Sequence, residues 1–302
     1  MYEAKKARNS IQFFNPAMQA SITDQVSLEH ELRKAVELQQ FQLYYQVQVD
    51  NSGFPTGAEV LLRWLHPEQG LISPAKFIPL AEETELILPI GQWVLECACA
   101  QIKIWQGDEL TRNFALSVNV SAKQFHQKYF VDEVQAALLY HDINPALLKL
   151  ELTESMLLKD VESTIETMQT LRKIGVQFSL DDFGTGYSSL QYLKRLPLNQ
   201  LKIDGSFIRD IAVNTSDQAI VCTIAAMANT LELDVIAECV ETQEQYIQLQ
   251  KSGCRHYQGY LFGKPVPIEE FDKKLKKNSQ LAFFIPEDSS VALELTSKNS
   301  LY

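Results

Sequence analysis

The chain is poor in basic residues: 27 Lys and Arg stand against 38 Asp and Glu among 302 residues, a formal charge of −11. That deficit excludes a broad basic face for nonspecific binding of a nucleic-acid polymer. Any phosphate ligand would need local cations or metal ions to offset the repulsion. No apolar run is long enough to cross a bilayer: Ala219 to Met227, the most apolar helix-like stretch, falls far short of the roughly 20 residues required. The first residues are charged and polar, unlike a secretory leader, so no membrane contact is expected from this segment. Cysteine is scarce, and the five present (Cys97, Cys99, Cys222, Cys239, Cys254) form an odd set without zinc-cluster spacing. Free thiols in a reducing compartment are expected, hence a cytoplasmic location. The histidines show no paired ligand spacing such as H-E-x-x-H, and there is no internal repeat or low-complexity segment. What remains is an ordinary globular composition, 46% hydrophobic and 22% charged.

From Phe41 onward, apolar strand-like runs alternate with helical patterns. The strands are expected at Phe41 to Val49, Ala58 to Trp64, Phe114 to Val120, Leu148 to Leu152, Gln177 to Asp181, Gln200 to Ile203, Val235 to Glu238 and Tyr257 to Leu261. Helical periodicity lies between most of them, as in Gly91 to Trp105, Phe130 to Tyr140, Val161 to Ile174, Ser216 to Leu231 and Thr242 to Lys251. Such alternation implies a largely parallel sheet. The number of strands over this length suits a closed α/β barrel, which typically needs about 250 residues. Asp50-Asn51-Ser52-Gly53 is turn chemistry, too short for a helical crossover, so the first strand should run antiparallel to the second. A helical face over Thr23 to Gln40 precedes the barrel, and the tail after Asn278 begins with an apolar patch, Leu281 to Pro286.

Nearly every strand carries a polar residue near its end: Glu59, Asn119, Glu151, Asp181 with Asp182, Lys202, Glu238 and Gln258. Each alone has a bland explanation as a cap or a satisfied buried group. In a barrel, however, the strand ends meet at one mouth. Asp181 and Asp182 close an apolar run and would repel each other unless a cation sits beside them. Four or five carboxylates plus an amide oxygen, with no His or Cys, are hard donors that favour Mg²⁺ or Mn²⁺. The carboxylate count exceeds what one Mg²⁺ usually takes, so two ions are expected, an arrangement suited to phosphodiester hydrolysis. Lys202 is a buried cation that such anions would stabilise; it either serves the reaction or closes the barrel rim by a salt bridge. Arg63 shares a strand face with Glu59, and its planar fork suits a phosphate, a structural carboxylate pair being the rival reading.

At this point Glu59-Val60-Leu61-Leu62-Arg63-Trp64, Ser117-Val118-Asn119-Val120-Ser121, Glu151-Leu152-Thr153-Glu154, Asp181-Asp182-Phe183-Gly184-Thr185-Gly186, Leu201-Lys202-Ile203-Asp204, Ala237-Glu238-Cys239-Val240-Glu241 and Gln258-Gly259-Tyr260 resemble the signature segments of EAL-domain cyclic di-GMP phosphodiesterases. The resemblance implies a modified (β/α)8 TIM-like barrel with its first strand antiparallel, and hydrolysis of cyclic di-GMP to linear pGpG. It implies that Glu59, Asn119, Glu151, Asp181 and Asp182 bind Mg²⁺ or Mn²⁺, with Asp182 serving a second ion. Lys202 would contact the attacking water and Glu238 would be a candidate base. Glu154 would steady the loop after Asp182, Gln258 would hold the polar network, and Arg63 and Gln46 would meet substrate. A homodimer is implied by the family alone. Residues 1–27 resemble the tail of a GGDEF (diguanylate cyclase) domain, which implies upstream signalling domains; the barrel would then occupy 28–278 and a tail 279–302.

Departures from the family pattern are Val60 for the usual Ala, Val47 for Pro, and Glu85 and Cys239 where Gly is frequent. A Cβ at the Cys239 position would strain the backbone beside Glu238. None removes an expected ligand. The rival reading is a non-hydrolytic cyclic di-GMP receptor, which would be expected to have lost carboxylates or the lysine.

Overall fold

The structure, a computed structural model, describes residues 16–154, 156, 160–184 and 190–278. Helix α1 (Pro16–Glu37) leads into a hairpin of β1 (Phe41–Asp50) and β2 (Pro55–His66), then β3 (Gly70–Ile72), α2 (Pro74–Glu83) and α3 (Ile87–Gln106). Alternation follows through β4 (Ala115–Asn119), α4 (Ala122–Phe125), α5 (Phe130–His141), β5 (Leu148–Thr153), α6 (Val161–Ile174), β6 (Gln177–Phe183) and α7 (Leu190–Leu193). It continues with β7 (Gln200–Ile203), α8 (Gly205–Ile208), α9 (Thr215–Thr230), β8 (Asp234–Ala237), α10 (Gln243–Lys251), β9 (His256–Gln258), β10 (Val266–Pro267) and α11 (Ile268–Asn278).

Pairing of β1 with both β2 and β9 closes an eight-stranded ring, β1-β2-β4-β5-β6-β7-β8-β9. β1 is antiparallel to both neighbours, whereas the other ring pairings are parallel. Each of the eight expected strands is one stave of this barrel. The short β3 and β10 pair with β2 and β1 outside the ring, and at three and two residues they are too short for any periodicity to announce. The β1–β2 turn is held by the Asp50 carboxylate, which accepts from the Ser52 and Phe54 amides at 2.7 and 3.0 Å. Gly53 there adopts φ 76°, open to a residue without a Cβ.

Period-two alternation explains where the core sits. In β5, Leu148, Leu150 and Leu152 join the apolar core while Lys149 and Glu151 are buried with the polar residues of the barrel interior. β7 repeats this with Leu201 and Ile203 around Lys202. The apolar layer thus lies between the staves and the helices, with aromatic contacts such as Trp64 on Phe77 and Tyr45 on Trp105. The interior carries the polar side chains instead of the branched apolar layers usual in such barrels. Helices start where capping side chains sit: Asp160 accepts from Ser163 N before α6, and Thr242 with Gln245 forms a capping box before α10.

α1 runs unbroken through the expected boundary at residue 27. Residues 1–15 of the GGDEF-like segment and the tail patch Leu281 to Pro286 lie outside the described residues. No helix among the described residues is long and apolar enough to cross a membrane.

Candidate active site

Lys202 is the centre at the carboxyl ends of the staves. Its Nζ lies 2.5 Å from Glu151 Oε2, 2.8 Å from Glu238 Oε1, 3.3 Å from Asp181 Oδ1 and 3.5 Å from Glu59 Oε2. Four chain segments each bring one carboxylate, and the side chain of Lys202 is 1% exposed, so water does not compete for it. Burial alone would strip the ammonium of its proton. Glu151, Glu238, Glu59 and Asp181 outweigh that effect and hold the Lys202 pKa well above its usual value.

One cation for four anions leaves an excess of negative charge in a dry site. Burial pushes the Glu151 carboxyl up to about 8, Lys202 opposing this while Glu59 and Asp181 reinforce it. Glu238 is likewise driven up, first by burial, with Lys202 again opposing and its carboxylate neighbours adding to the rise. Glu59 is the exception: burial pushes upward, but Lys202 and the amides of Gln258 and Asn119 hold its pKa below the ordinary value. Those amides donate to its two oxygens, Gln258 Nε2 to Oε2 at 2.5 Å and Asn119 Nδ2 to Oε1 at 2.6 Å.

Among the described residues, no three carboxylates surround a common point as ligands of one ion would; they converge on Lys202 instead. The residues nevertheless fit a hard divalent cation. All the donors are oxygens or can offer one, the charge excess needs a counterion, and Glu151 Oε1 is buried with no hydrogen-bond partner.

Asp181 and Asp182 sit on an irregularity. The β6–β7 register shifts between Leu180 and Phe183, and Asp182 has φ 55°. A bulge with a left-handed residue breaks the strict alternation that would send adjacent side chains to opposite faces. Asp182 N donates to Asp181 Oδ1 at 2.9 Å. Asp182 has its own pKa raised, by burial first and then by Asp181 and Asp204. Glu154 is buried, with no partner for either carboxylate oxygen among the described residues. The structure therefore does not join it to the Lys202 cluster, and residues 185–189 of the loop it was expected to steady lie outside the described residues.

Gln46 lies opposite Glu59 in the hairpin and accepts from Gln258 Nε2 at 3.1 Å. Arg63 is aimed differently. Its guanidinium lies 5.3 Å from the Tyr44 ring centroid and donates to the Leu62 carbonyl at 2.9 Å. It lines a cavity of about 550 Å³ with Asn119, Thr153 and Met156; the clustered carboxylates do not line it, and Asn119, which donates to Glu59, links the two. Val60 is buried in the apolar core, as its alternation with Glu59 requires. Glu85 and Cys239 both adopt left-handed backbone, φ 64° and 53°, so two positions where the resemblance implies Gly do carry the conformation that favours it.

Three contributors escaped the sequence reading. Gln48 donates to Gln258 Oε1 at 2.9 Å, and its two-residue spacing from Gln46 was the available signal. Asp204 caps α8 through Ser206 N and faces Asp182 electrostatically. Tyr44 braces Arg63, and in the sequence an aromatic on a strand carries no such mark.

This fold and site define a class: a closed α/β barrel with a lysine-centred polyanionic site at the carboxyl ends of its strands. The chain belongs to the EAL domain family, whose profile matches residues 29–265. It is 46% identical over 272 residues, 89% of its length, to the bifunctional diguanylate cyclase/cyclic di-GMP phosphodiesterase MucR of Pseudomonas aeruginosa, and covers 40% of that protein. It is 41% identical to the cyclic di-GMP phosphodiesterase NbdA of the same organism, covering 89% of this chain and 34% of that one. The chain thus spans well under half the length of these curated relatives. Among solved structures it resembles the MucR phosphodiesterase in complex with c-di-GMP, with TM-score 0.78 and 46% identity, covering 81% of this chain and 99% of that one. The EAL enzyme Bd1971, bound to cAMP and cyclic di-GMP, superposes with TM-score 0.81 at 35% identity, covering 84% and 70% of the two chains.

Proposed function

We propose that this chain hydrolyses one phosphodiester bond of cyclic di-GMP to give linear pGpG, using two Mg²⁺ or Mn²⁺ ions. The observation that carries this reading is the convergence of Glu59, Glu151, Asp181 and Glu238 on the buried Lys202 ammonium. The Arg63 cavity, joined to this cluster through Asn119, has room for part of a dinucleotide. Relatives named as phosphodiesterases for this nucleotide support it.

The product carries a 5′-phosphate, so a water oxygen bonds to phosphorus, the P–O3′ bond breaks, and O3′ takes a proton. Glu59, Asn119, Glu151 and Asp181 would hold the first ion and Asp182 the second. When bound, such ions acidify water and neutralise charge on the phosphoryl oxygens. Lys202 stays protonated and can donate to the attacking water or to the charged phosphoryl group. Glu238, 2.8 Å from it, would accept the water proton as its carboxylate, the form that the Lys202 ammonium and bound cations favour. Arg63, braced by Tyr44, would hold a substrate phosphate. Gln46 and Gln258 would keep Glu59 oriented, and Glu154 would steady the loop after Asp182. The working unit would be a cytoplasmic homodimer, joined to upstream GGDEF or sensory domains in a longer protein.

Incubation with cyclic di-GMP and either metal should yield pGpG, and chelation should stop it. Tight binding without product would replace this reading by the receptor one. Light scattering across concentration tests the dimer.

A further inference from the structure

We infer that Gln48 is a positioning residue for the site, because its donation to Gln258 decides which end of that amide faces Glu59. Gln46, Gln48 and Gln258 are buried at 7%, 3% and 4% exposure, so solvent cannot substitute for a missing partner. Gln46 Nε2 donates to the Gly263 carbonyl at 3.1 Å, a group that only accepts. Its Oε1 is therefore left to accept, and Gln258 Nε2 supplies the proton. The second hydrogen on that nitrogen goes to Glu59 Oε2, another pure acceptor. Two acceptor-only anchors thus consume both Gln258 donors, and Gln258 Oε1 must find a donor on its other side. Gln48 Nε2 is that donor, on a residue directly paired with Gln258 across β1 and β9.

Gln48 also faces the other end of the barrel interior. With Lys149, Thr56 and His256 it lines a separate cavity of about 160 Å³ at the opposite end of the barrel. Lys149, buried there, donates to Gln200 Oε1 at 3.0 Å. Asp234 lines the same cavity, so the charges there are mixed, and the Gln48 amide is oriented by Gln258 Oε1, which accepts from its nitrogen. The two ends of the barrel interior are thereby joined across one glutamine.

Without the Gln48 donor, Gln258 has either a buried unsatisfied oxygen or a reversed amide that sets its oxygen against the Glu59 carboxylate. Groups that orient a metal-binding carboxylate typically alter metal affinity or activity about 10–100-fold when removed. The inference rests on the proposed hydrolysis only for its activity readout. The test compares Gln48→Met, which removes the donor at similar length, Gln48→Glu, which puts an acceptor in its place, Gln258→Met, and the Gln48→Met/Gln258→Met double variant. Mn²⁺ titration calorimetry and pGpG formation are measured on each, with thermal unfolding alongside. Gln48→Met should weaken Mn²⁺ binding and kcat about tenfold with KM for cyclic di-GMP little changed, and Gln48→Glu about a hundredfold. In the Gln258→Met background, Gln48→Met should change neither quantity. Wild-type Mn²⁺ affinity in both Gln48 variants, an undiminished loss in the Gln258→Met background, or a loss matched by the unfolded fraction would each overturn it. If the wild-type chain makes no pGpG, the hydrolytic reading falls and calorimetry alone decides the positioning role.

Discussion

Two lysines are buried inside the same barrel, and their surroundings pull them apart. Lys202 at the mouth meets four carboxylates within 3.5 Å and is held firmly protonated. Lys149 at the floor has a neutral partner, Gln200; burial, only partly opposed by Glu151 and Asp234, lowers its pKa. Burial is nearly the same, 1% and 8% exposure, so the charge partners decide. The mouth gathers more negative charge than its lysine can offset, and it also holds backbone strain. Asp182 and Cys239 are left-handed there away from any helix end, whereas at the floor such residues, Asp142 and Gly175, are the caps that stop α5 and α6.

The comparison is tested most severely at Lys202. Lys202→Ala should abolish turnover, by about 10²–10³-fold or more, as losing a transition-state donor does, with circular dichroism showing a retained fold. Glu59→Ala should do the same through lost metal. Wild-type turnover in either variant would contradict the roles assigned.

The next effect is on stability. Between the unfolded pKa of a glutamate, near 4.5, and the raised native value of about 8, Glu151 binds a proton only in the folded, metal-free chain. Stability in EDTA should therefore fall as pH rises through that window, in the same sense as for Glu238. Glu59, whose pKa is lowered, acts below the window, and Lys202 above it. Melting temperatures from pH 5 to 8, with and without Mn²⁺, check this; a metal-free Tm that rises across the range would refute the charge excess.

At the floor the expected change is small. Lys149→Met removes a buried cation without stranding a carboxylate, and Ser179 still donates to Gln200. Its stability should change by no more than about 1 kcal/mol in chemical denaturation. A loss of several kcal/mol would mean that Lys149 is a hidden ion-pair partner like Lys202.

The smallest effect concerns strain. Cys239→Gly relieves a left-handed residue but loosens the unfolded chain, a net stabilisation of about 0.5–1 kcal/mol. A Cβ built at Gly205 would lie 2.7 Å from Cys239 Sγ. Gly205→Ala should accordingly be tolerated better in the Cys239→Gly background than alone, and additive effects would show that the two sites do not press on each other.

The staves were legible because charged residues break leucine-rich runs at period two: Leu148-Lys149-Leu150-Glu151-Leu152 announces both a strand and a polar interior. The convergence of Glu59, Glu151, Asp181 and Glu238 followed from barrel closure. That they meet on Lys202 Nζ itself was not legible, since it depends on side-chain reach and stave stagger, which sequence spacing does not encode. Gln48 was missed because an amide in a strand reads alike whether it faces solvent or fixes another amide. Glu154 carried its expected role through resemblance alone, and its oxygens find no partner among the described residues.

The reversed first stave also determines where the preceding helix meets the barrel. In an all-parallel ring the leading strand climbs from the floor, so a preceding segment hangs on the side away from the chemistry. Here β1 descends: Phe41 pairs with Trp64 near the upper end of β2, while Val49 pairs with Pro55 near its start. Helix α1 therefore reaches the barrel at the rim that carries the Lys202 cluster. It rests on α2 through the Gln25–Glu83 contact, and Pro74, Ile78 and Glu82 of that same helix wall the Arg63 cavity. A displacement of α1 would therefore bear on the one short helix that also walls the Arg63 cavity.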